Sequence, residues 1–227
     1  MSSLPPRPQH EWPSLTDRPV VERATRIFNL WSAEGTPFHV FVLRPAPNTE
    51  IQRVQDALRD AGIGAVIPPD FLHITVQSLG NIGEGGLTGA IAEELADAVA
   101  ATLTDVAPFP VALHRANSFW SAAVVEVHES EPSCPLGRTQ RAIVDALLAA
   151  NLVPVRHPDR PYVPHLSICY YDDTWPSQAV EQAIAPYREW AFGDLWVDTV
   201  ELVRIAGDGS LYPPMETVRT IILGSAT

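Results

Sequence analysis

Between His39 and Ile205 the chain presents one arrangement of elements twice, and a duplicated chain has to pack its two copies against each other. The first copy runs strand HVFVL (39–43), helix TEIQRVQDALRDAG (49–62), a Pro-marked loop and the strand FLHITVQSL (71–79). The second runs strand AVVEV (123–127), helix LGRTQRAIVDALLAAN (136–151), a Pro-marked loop and YVPHLSICYY (162–171). Both helices carry Asp-Ala-Leu, at Asp56 and Asp145, and the next two elements of each copy also match. LTGAIAEELADAVAATL sets Ile91, Leu95 and Val99 on one helical face and leads to strand FPVALHR; SQAVEQAIAPY, with Val180 and Ile184, leads to a strand LWVDTVELVRI. A last strand, TVRTIIL (217–223), has no counterpart and closes a sheet. The repeats span about 38–116 and 120–205 and predict two α+β halves related by a rough twofold around a shared cleft.

Each copy contributes one unusual strand face. In PPDFLHITVQSLG, Leu72, Ile74 and Val76 suit a core, which puts His73, Thr75 and Gln77 on the opposite side. The same alternation in VPHLSICYY puts His165, Ser167 and Cys169 together, opposite Leu166 and Ile168. A single histidine on a strand is more often a satisfied structural residue. Two at equivalent places in a repeated unit, brought together by the twofold, point to chemistry. An imidazole with a pKa near 6.5 holds either protonation state at neutral pH, so a pair can share the work of base and acid at a phosphodiester. A hydroxyl two residues on can donate to phosphate oxygens as charge builds. A third match, His128-Glu129-Ser130, runs into the turn ESEPS and reads as a solvated loop.

Composition narrows the function further. A formal net charge of −12 argues against binding duplex nucleic acid, which requires a basic face. All 15 basic residues are Arg, which rules out lysine nucleophiles and Schiff bases. Cys134 and Cys169 have no metal-site spacing and are too few for a disulfide framework. No apolar run reaches the length of a membrane span, and MSSLPPRPQHEWP lacks the apolar core of a signal peptide, so a cytoplasmic location without membrane attachment is expected. Residues 1–36 read as a Pro-rich arm, with Trp12 able to dock on the body, followed by one helix. That helix takes Asp17 as N-cap, Val20, Ala24, Ile27 and Trp31 as its apolar stripe and Gly35 as its stop. Residues 37–227 read as a single bilobal domain.

On these motifs the chain resembles the 2H phosphoesterase superfamily, in the branch similar to bacterial RNA 2′,3′-cyclic phosphodiesterase and 2′-5′ RNA ligase. PPDFLHITVQSLG resembles the first motif of that family and RPYVPHLSI the second, with Pro164 just before the histidine. The resemblance runs over roughly residues 37–225 and includes FPVALHRANSFWSAAVVEV and a closing strand after GDGSLYPP. It implies a bilobal α+β fold: two pseudo-twofold-related lobes of antiparallel sheet plus helices around a central cleft, one lobe holding both chain ends and the other made from the middle. Carried over by motif position, His73 and His165 are the acid–base pair and Thr75 and Ser167 the phosphate-binding hydroxyls. No metal or other cofactor is expected. Members open 2′,3′-cyclic phosphates to 2′-phosphates, and some act on 2′-5′ linkages or other small nucleotide phosphodiesters.

The chain departs from the family two positions beyond each motif hydroxyl, where members often carry a basic residue and this chain has Gln77 and Cys169. Gln77 can still donate a hydrogen bond, whereas Cys169 reads as a small buried side chain. With the acidic charge, this turns the expected substrate from long RNA toward a small nucleotide or an RNA end, bound by a monomer. Arg156 and Arg160, in the loop ahead of the second motif, are further candidates to grip phosphate, if they are not simply surface arginines paired with Asp159. Tyr162 and Phe41 are candidates to stack on a base, although aromatic residues on strands more often belong to a core. His39, His114 and His157 receive no role. Two other readings stay open. One is a catalytically inactive nucleotide-binding module using the same cleft. The other is a metallohydrolase with the two histidines as ligands, although no carboxylate lies at helical ligand spacing from either.

Overall fold

The structure is a computed structural model that describes residues 18–32, 37–80, 89–129, 134–151 and 162–224. Of the residues singled out above, Trp12, Asp17, Gly35, Ser130, Arg156, His157, Asp159 and Arg160 lie outside that set, as does the Trp31 side chain. In chain order the first half contains β1 (Val20–Val21), α1 (Thr25–Ser32), β2 (Phe38–Leu43), α2 (Thr49–Asp60), β3 (Ala65–Val66), β4 (Ile74–Gly80), α3 (Gly89–Leu103) and β5 (Phe109–Phe119). The second contains β6 (Ala122–Glu129), α4 (Pro135–Ala149), β7 (His165–Tyr170), β8 (Trp175–Pro176), α5 (Ser177–Ile184), β9 (Ala191–Val197), β10 (Thr199–Ile205) and β11 (Met215–Ile222). Among the described residues no helix is long and apolar enough to cross a membrane.

Local chemistry accounts for most of these elements. Asn48 caps α2 by accepting from the backbone N–H of Glu50 and Ile51 at 2.9 and 3.2 Å, and Ile51, Val54, Gln55 and Leu58 form its buried stripe. Pro135 opens α4, where Glu129 at the end of β6 accepts from the N–H groups of Leu136 and Gly137. Burial raises the Glu129 carboxyl above its ordinary value, and those donors and Arg138 oppose the rise. In α3 the stripe is Ala92, Leu95, Ala96, Val99 and Leu103; Ile91, expected with Leu95 and Val99, faces solvent. The N-terminal helix is also shorter than its periodicity predicts. Pro19 and two β-branched valines favour extended backbone, and Val20 and Val21 pair with Pro176 and Trp175 instead.

Among the described residues nine antiparallel strands form one curled sheet in the order β11-β10-β2-β4-β7-β6-β5-β9, with β3 added beside β7. The order is symmetric about the β4–β7 junction. Each half pairs its first strand with its histidine strand, β2 with β4 and β6 with β7, and sends its last strand across to the other lobe. Thus β5 adds to β6, and β10 adds to β2. The run LWVDTVELVRI, read as one strand, breaks at Asp198 so that β9 edges one lobe while β10 enters the other. The fold is therefore the bilobal α+β architecture expected from the sequence, with β11 and both ends of the family region in one lobe.

Helices α2 to α5 cover one face of the sheet, where the larger core gathers Phe41, Leu58, Ile74, Leu147 and Leu166. On the concave face a second core joins Phe38, Val40, Val42, Phe71, Val124 and Tyr170 to Ala24, with Ile27 and Phe28 of α1 packed against it. The N-terminal helix, left unplaced by sequence, thus lies on the face that carries the cleft.

Candidate active site

The strand registers decide which side chains reach that face. Leu43 pairs with Ile74 in the helix-side core, so the next pair, Val42 and Thr75, faces the concave side. The register then slips: Phe41 pairs with Gln77, leaving Val76 as the extra residue of a β-bulge that returns Gln77 to the helix side. There Gln77 is 2 % exposed; its Nε2 donates to Ser78 O and its Oε1 accepts from Gln140 of α4, both at 2.9 Å. β7 repeats the device. Val124 pairs with Ser167 and Ala123 with Cys169, so Ile168 is the bulged residue and Cys169 joins the helix-side core. Strict alternation had placed Gln77 and Cys169 beside the histidines. The bulges remove both and give the concave positions to Ser78, opposite Val40, and Tyr170, opposite Ala122.

Of the six side chains expected beside one another, His73, Thr75, His165 and Ser167 stay on the concave face, all half-buried. β4 and β7 meet at Ile74 and Leu166. Extending that antiparallel register by one residue each way sets His73 opposite Ser167 and His165 opposite Thr75. In a regular ladder opposed side chains stand about 5 Å apart and diagonal ones about 7–8 Å. The two imidazoles thus lie diagonal to each other across the junction, each with a hydroxyl opposite it on the neighbouring strand. Tyr162 fastens the approach to the second motif by donating its hydroxyl to Thr75 O at 3.0 Å. Tyr170, which the sequence reading did not single out, brings its hydroxyl within hydrogen-bonding reach of the Ser167 side chain, and burial pushes that phenol up to about 12.

Both imidazoles are held the same way. His73 Nδ1 lies 2.8 Å from Phe71 O, and His165 Nδ1 lies 2.8 Å from Val163 O, in each case the carbonyl two residues earlier. A carbonyl only accepts, so each neutral ring carries its proton on Nδ1 and its lone pair on Nε2. Phe71 packs edge-on against His73 at 5.8 Å between centroids, and Phe119 against His165 at 4.8 Å. The His73 imidazole is held below its ordinary value by burial and by the Arg44 charge, against the pull of the Phe71 carbonyl.

Other expectations fare differently. Phe41 is fully buried in the helix-side core, where no base reaches it. His128 is not in a solvated loop: β6 runs on through it, pairing it with Ala112, and its Nε2 lies 2.8 Å from Glu126 Oε2. Glu126 is 2 % exposed and also accepts from Asn117 Nδ2 at 2.6 Å. A buried Glu and His two residues apart on one strand were visible in AVVEVHE, but nothing in that string tells a buried pair from a solvated one.

Residues 44–209 match the model of the 2′-5′ RNA ligase superfamily, which spans both motifs and the elements that carry them. The chain belongs to this superfamily, the 2H phosphoesterases. It is 25 % identical over 174 residues to an RNA 2′,3′-cyclic phosphodiesterase of Methanothermobacter thermautotrophicus, covering 74 % of this chain and 90 % of that protein. TT0787 of Thermus thermophilus shares its fold with a TM-score of 0.61 at 20 % identity, over 82 % of this chain and 98 % of that one. Escherichia coli LigT, in its complex with NADP+, does so with a TM-score of 0.55 at 18 % identity, over 84 % and 99 %. α1 and the whole of β2 precede the matched region.

Proposed function

We propose that the protein is a metal-independent phosphodiesterase that opens 2′,3′-cyclic phosphates to 2′-phosphates, or cleaves 2′-5′ linkages, in a small nucleotide or at an RNA end. The observation that supports this reading is the pair of imidazoles, one from each half, clamped alike through Nδ1 on the two strands that meet at Ile74 and Leu166. Cleaving a cyclic phosphate takes one group to accept a proton from water and one to give a proton to the departing oxygen, and Nε2 of the two rings suits both tasks. Thr75 and Ser167 can donate to the nonbridging oxygens as charge builds. Further support comes from the named activity of the Methanothermobacter relative and from LigT, whose structures hold ATP, NADP+, 3′-AMP and phosphate. The net charge of −12 favours a short substrate over a long polyanion.

The test incubates the protein, with and without EDTA, with the four nucleoside 2′,3′-cyclic phosphates and a 2′-5′ dinucleotide, and separates the products by chromatography. EDTA-resistant formation of 2′-phosphates, lost in His73→Ala and in His165→Ala with the fold intact, is the expected result. Turnover that survives both substitutions refutes the reading. Thermal stabilisation by nucleotides without any turnover would leave a binding module in its place.

A further inference from the structure

The two histidines are equivalent in fold and opposite in surroundings. In the ladder between β6 and β7, Glu126 is the residue paired with His165. In the ladder between β2 and β4 the last pair is Leu43 with Ile74, so the residue opposite His73 is Arg44. The duplicated halves therefore present an acid beside one catalytic imidazole and a base beside the other, at the same place in each. Directly opposed side chains in an antiparallel ladder share a face at about 5 Å.

Both partners are held in position. Glu126 is buried, with Oε1 taken by Asn117 Nδ2 and Oε2 by His128 Nε2, while Arg188 donates to Asn117 Oδ1 at 3.0 Å. Arg44 donates through Nε to Glu201 Oε2 and through Nη1 to Asp70 O, in the turn leading to His73, both at 2.9 Å. Around His165 the other groups are His73 across the junction, Ser167 and Tyr170 on its own strand, Phe119 from β5, and His114 opposite Glu126. Around His73 they are Phe71, Asp70, Glu201 through Arg44, and His165.

On the basis of the phosphodiesterase reading, we propose that Glu126 and Arg44 divide the labour: Glu126 keeps His165 protonated as the general acid, and Arg44 keeps His73 neutral as the general base. His73 Nε2 takes a proton from water as the water oxygen bonds to phosphorus. The bond from phosphorus to the 3′ oxygen breaks, and His165 gives its Nε2 proton to that oxygen, leaving the 2′-phosphate. Each ring then exchanges a proton with solvent. In this division Glu126 and Arg44 are positioning residues that act through the charge they place beside each ring. The depressed proton affinity of His73, to which Arg44 contributes, agrees with its half of this division.

The experiment compares Glu126→Gln and Arg44→Gln with the parent protein in two ways. In the first, the two imidazoles are titrated by NMR of histidine-labelled protein, which requires no turnover. Glu126→Gln should lower the titration of His165 by about one pH unit, and Arg44→Gln should raise that of His73. In the second, the pH dependence of kcat/KM is measured. Loss of Glu126 should bring the alkaline limb to lower pH, with a roughly tenfold fall above it, and loss of Arg44 should bring the acidic limb to higher pH. A p-nitrophenyl phosphodiester, whose leaving group departs without a proton, should stay a substrate of His165→Ala and be lost in His73→Ala. Unmoved titrations in both variants, or the opposite pattern with the activated ester, overturn the proposal. Shifted titrations in a protein that cleaves no cyclic phosphate would uphold the charge pairing and refute only the substrate reading.

Discussion

Cys169 lies two residues beyond Ser167 and on the other side of the sheet, because Ile168 occupies the bulge between them. Its thiol is fully buried, and burial with the nearby Asp172 charge pushes it up to about 12, so almost no thiolate forms at neutral pH. Cys134 is exposed at the start of α4. A thiol reagent added to the native protein is therefore expected to label Cys134 promptly and Cys169 only after denaturation; prompt labelling of both would contradict the bulge. Thr75 and Ser167, on the near side of their bulges, keep the orientation of the histidines. Thr75→Val or Ser167→Ala should each lower kcat by about 10²-fold with KM little changed, as expected for a donor that acts on developing charge. These four residues were legible in the sequence because plain alternation holds as far as the hydroxyl. The bulges were not, since Val76 and Ile168 are ordinary strand residues with no Gly or Pro to mark them, and only the partner strand reveals the slip. Arg44 and Glu126 were missed for the same reason: which residue stands opposite a histidine is a property of the register.

At the level of elements, the short strand β3 shows what the junction between lobes demands. It pairs Ala65 and Val66 with Tyr170 and Cys169, and Gln55 of α2 donates to Ile67 O and Ile168 O at 2.8 and 2.9 Å, clamping it to β7. The turn into β3 passes so close to β7 that a Cβ on Gly64 would stand 2.6 Å from Tyr170 O, and φ there is +66°. Gly64→Ala thus meets both a forbidden contact with backbone and a left-handed conformation, and should cost at least about 1–3 kcal/mol in urea unfolding. Gly62, with φ +70° and open space around it, provides the control: Gly62→Ala incurs only the conformational cost. Equal losses in the two variants would mean that the close approach is not needed. Elements with strong periodicity, α2 to α5 and the motif strands, were readable from the sequence. The segment around Val20 and the break at Asp198 were not, because the strands that claim them, β8 and β2, come from distant parts of the chain.

The exchange of last strands makes the molecule one unit. With β5 in one lobe and β10 in the other, each lobe needs strands from both halves of the chain, so the repeats visible in the sequence are not separable domains. A single calorimetric transition is expected, and two resolved transitions would contradict the exchange. The same cooperativity makes buried histidines count against the whole fold. His39, His73 and His114 all lie below the ordinary value of 6.5, each chiefly through burial, with Arg204, Arg44 and neighbouring His128 adding to it respectively. For a base whose folded pKa is depressed, the unfolded chain takes up protons first as pH falls. Stability is thus complete above about pH 6.5 and declines as pH drops through the folded values. The excess of acidic residues acts in the opposite direction, since protonating exposed carboxylates relieves repulsion. The contribution of these three imidazoles to melting temperature should therefore fall between about pH 6.5 and 5. Since His39 pairs with Gly80 at the far end of β4 from His73, His39→Gln should flatten that slope without altering the acidic limb of activity. A slope of melting temperature against pH left unchanged by that substitution would show that His39 is not buried in its neutral form.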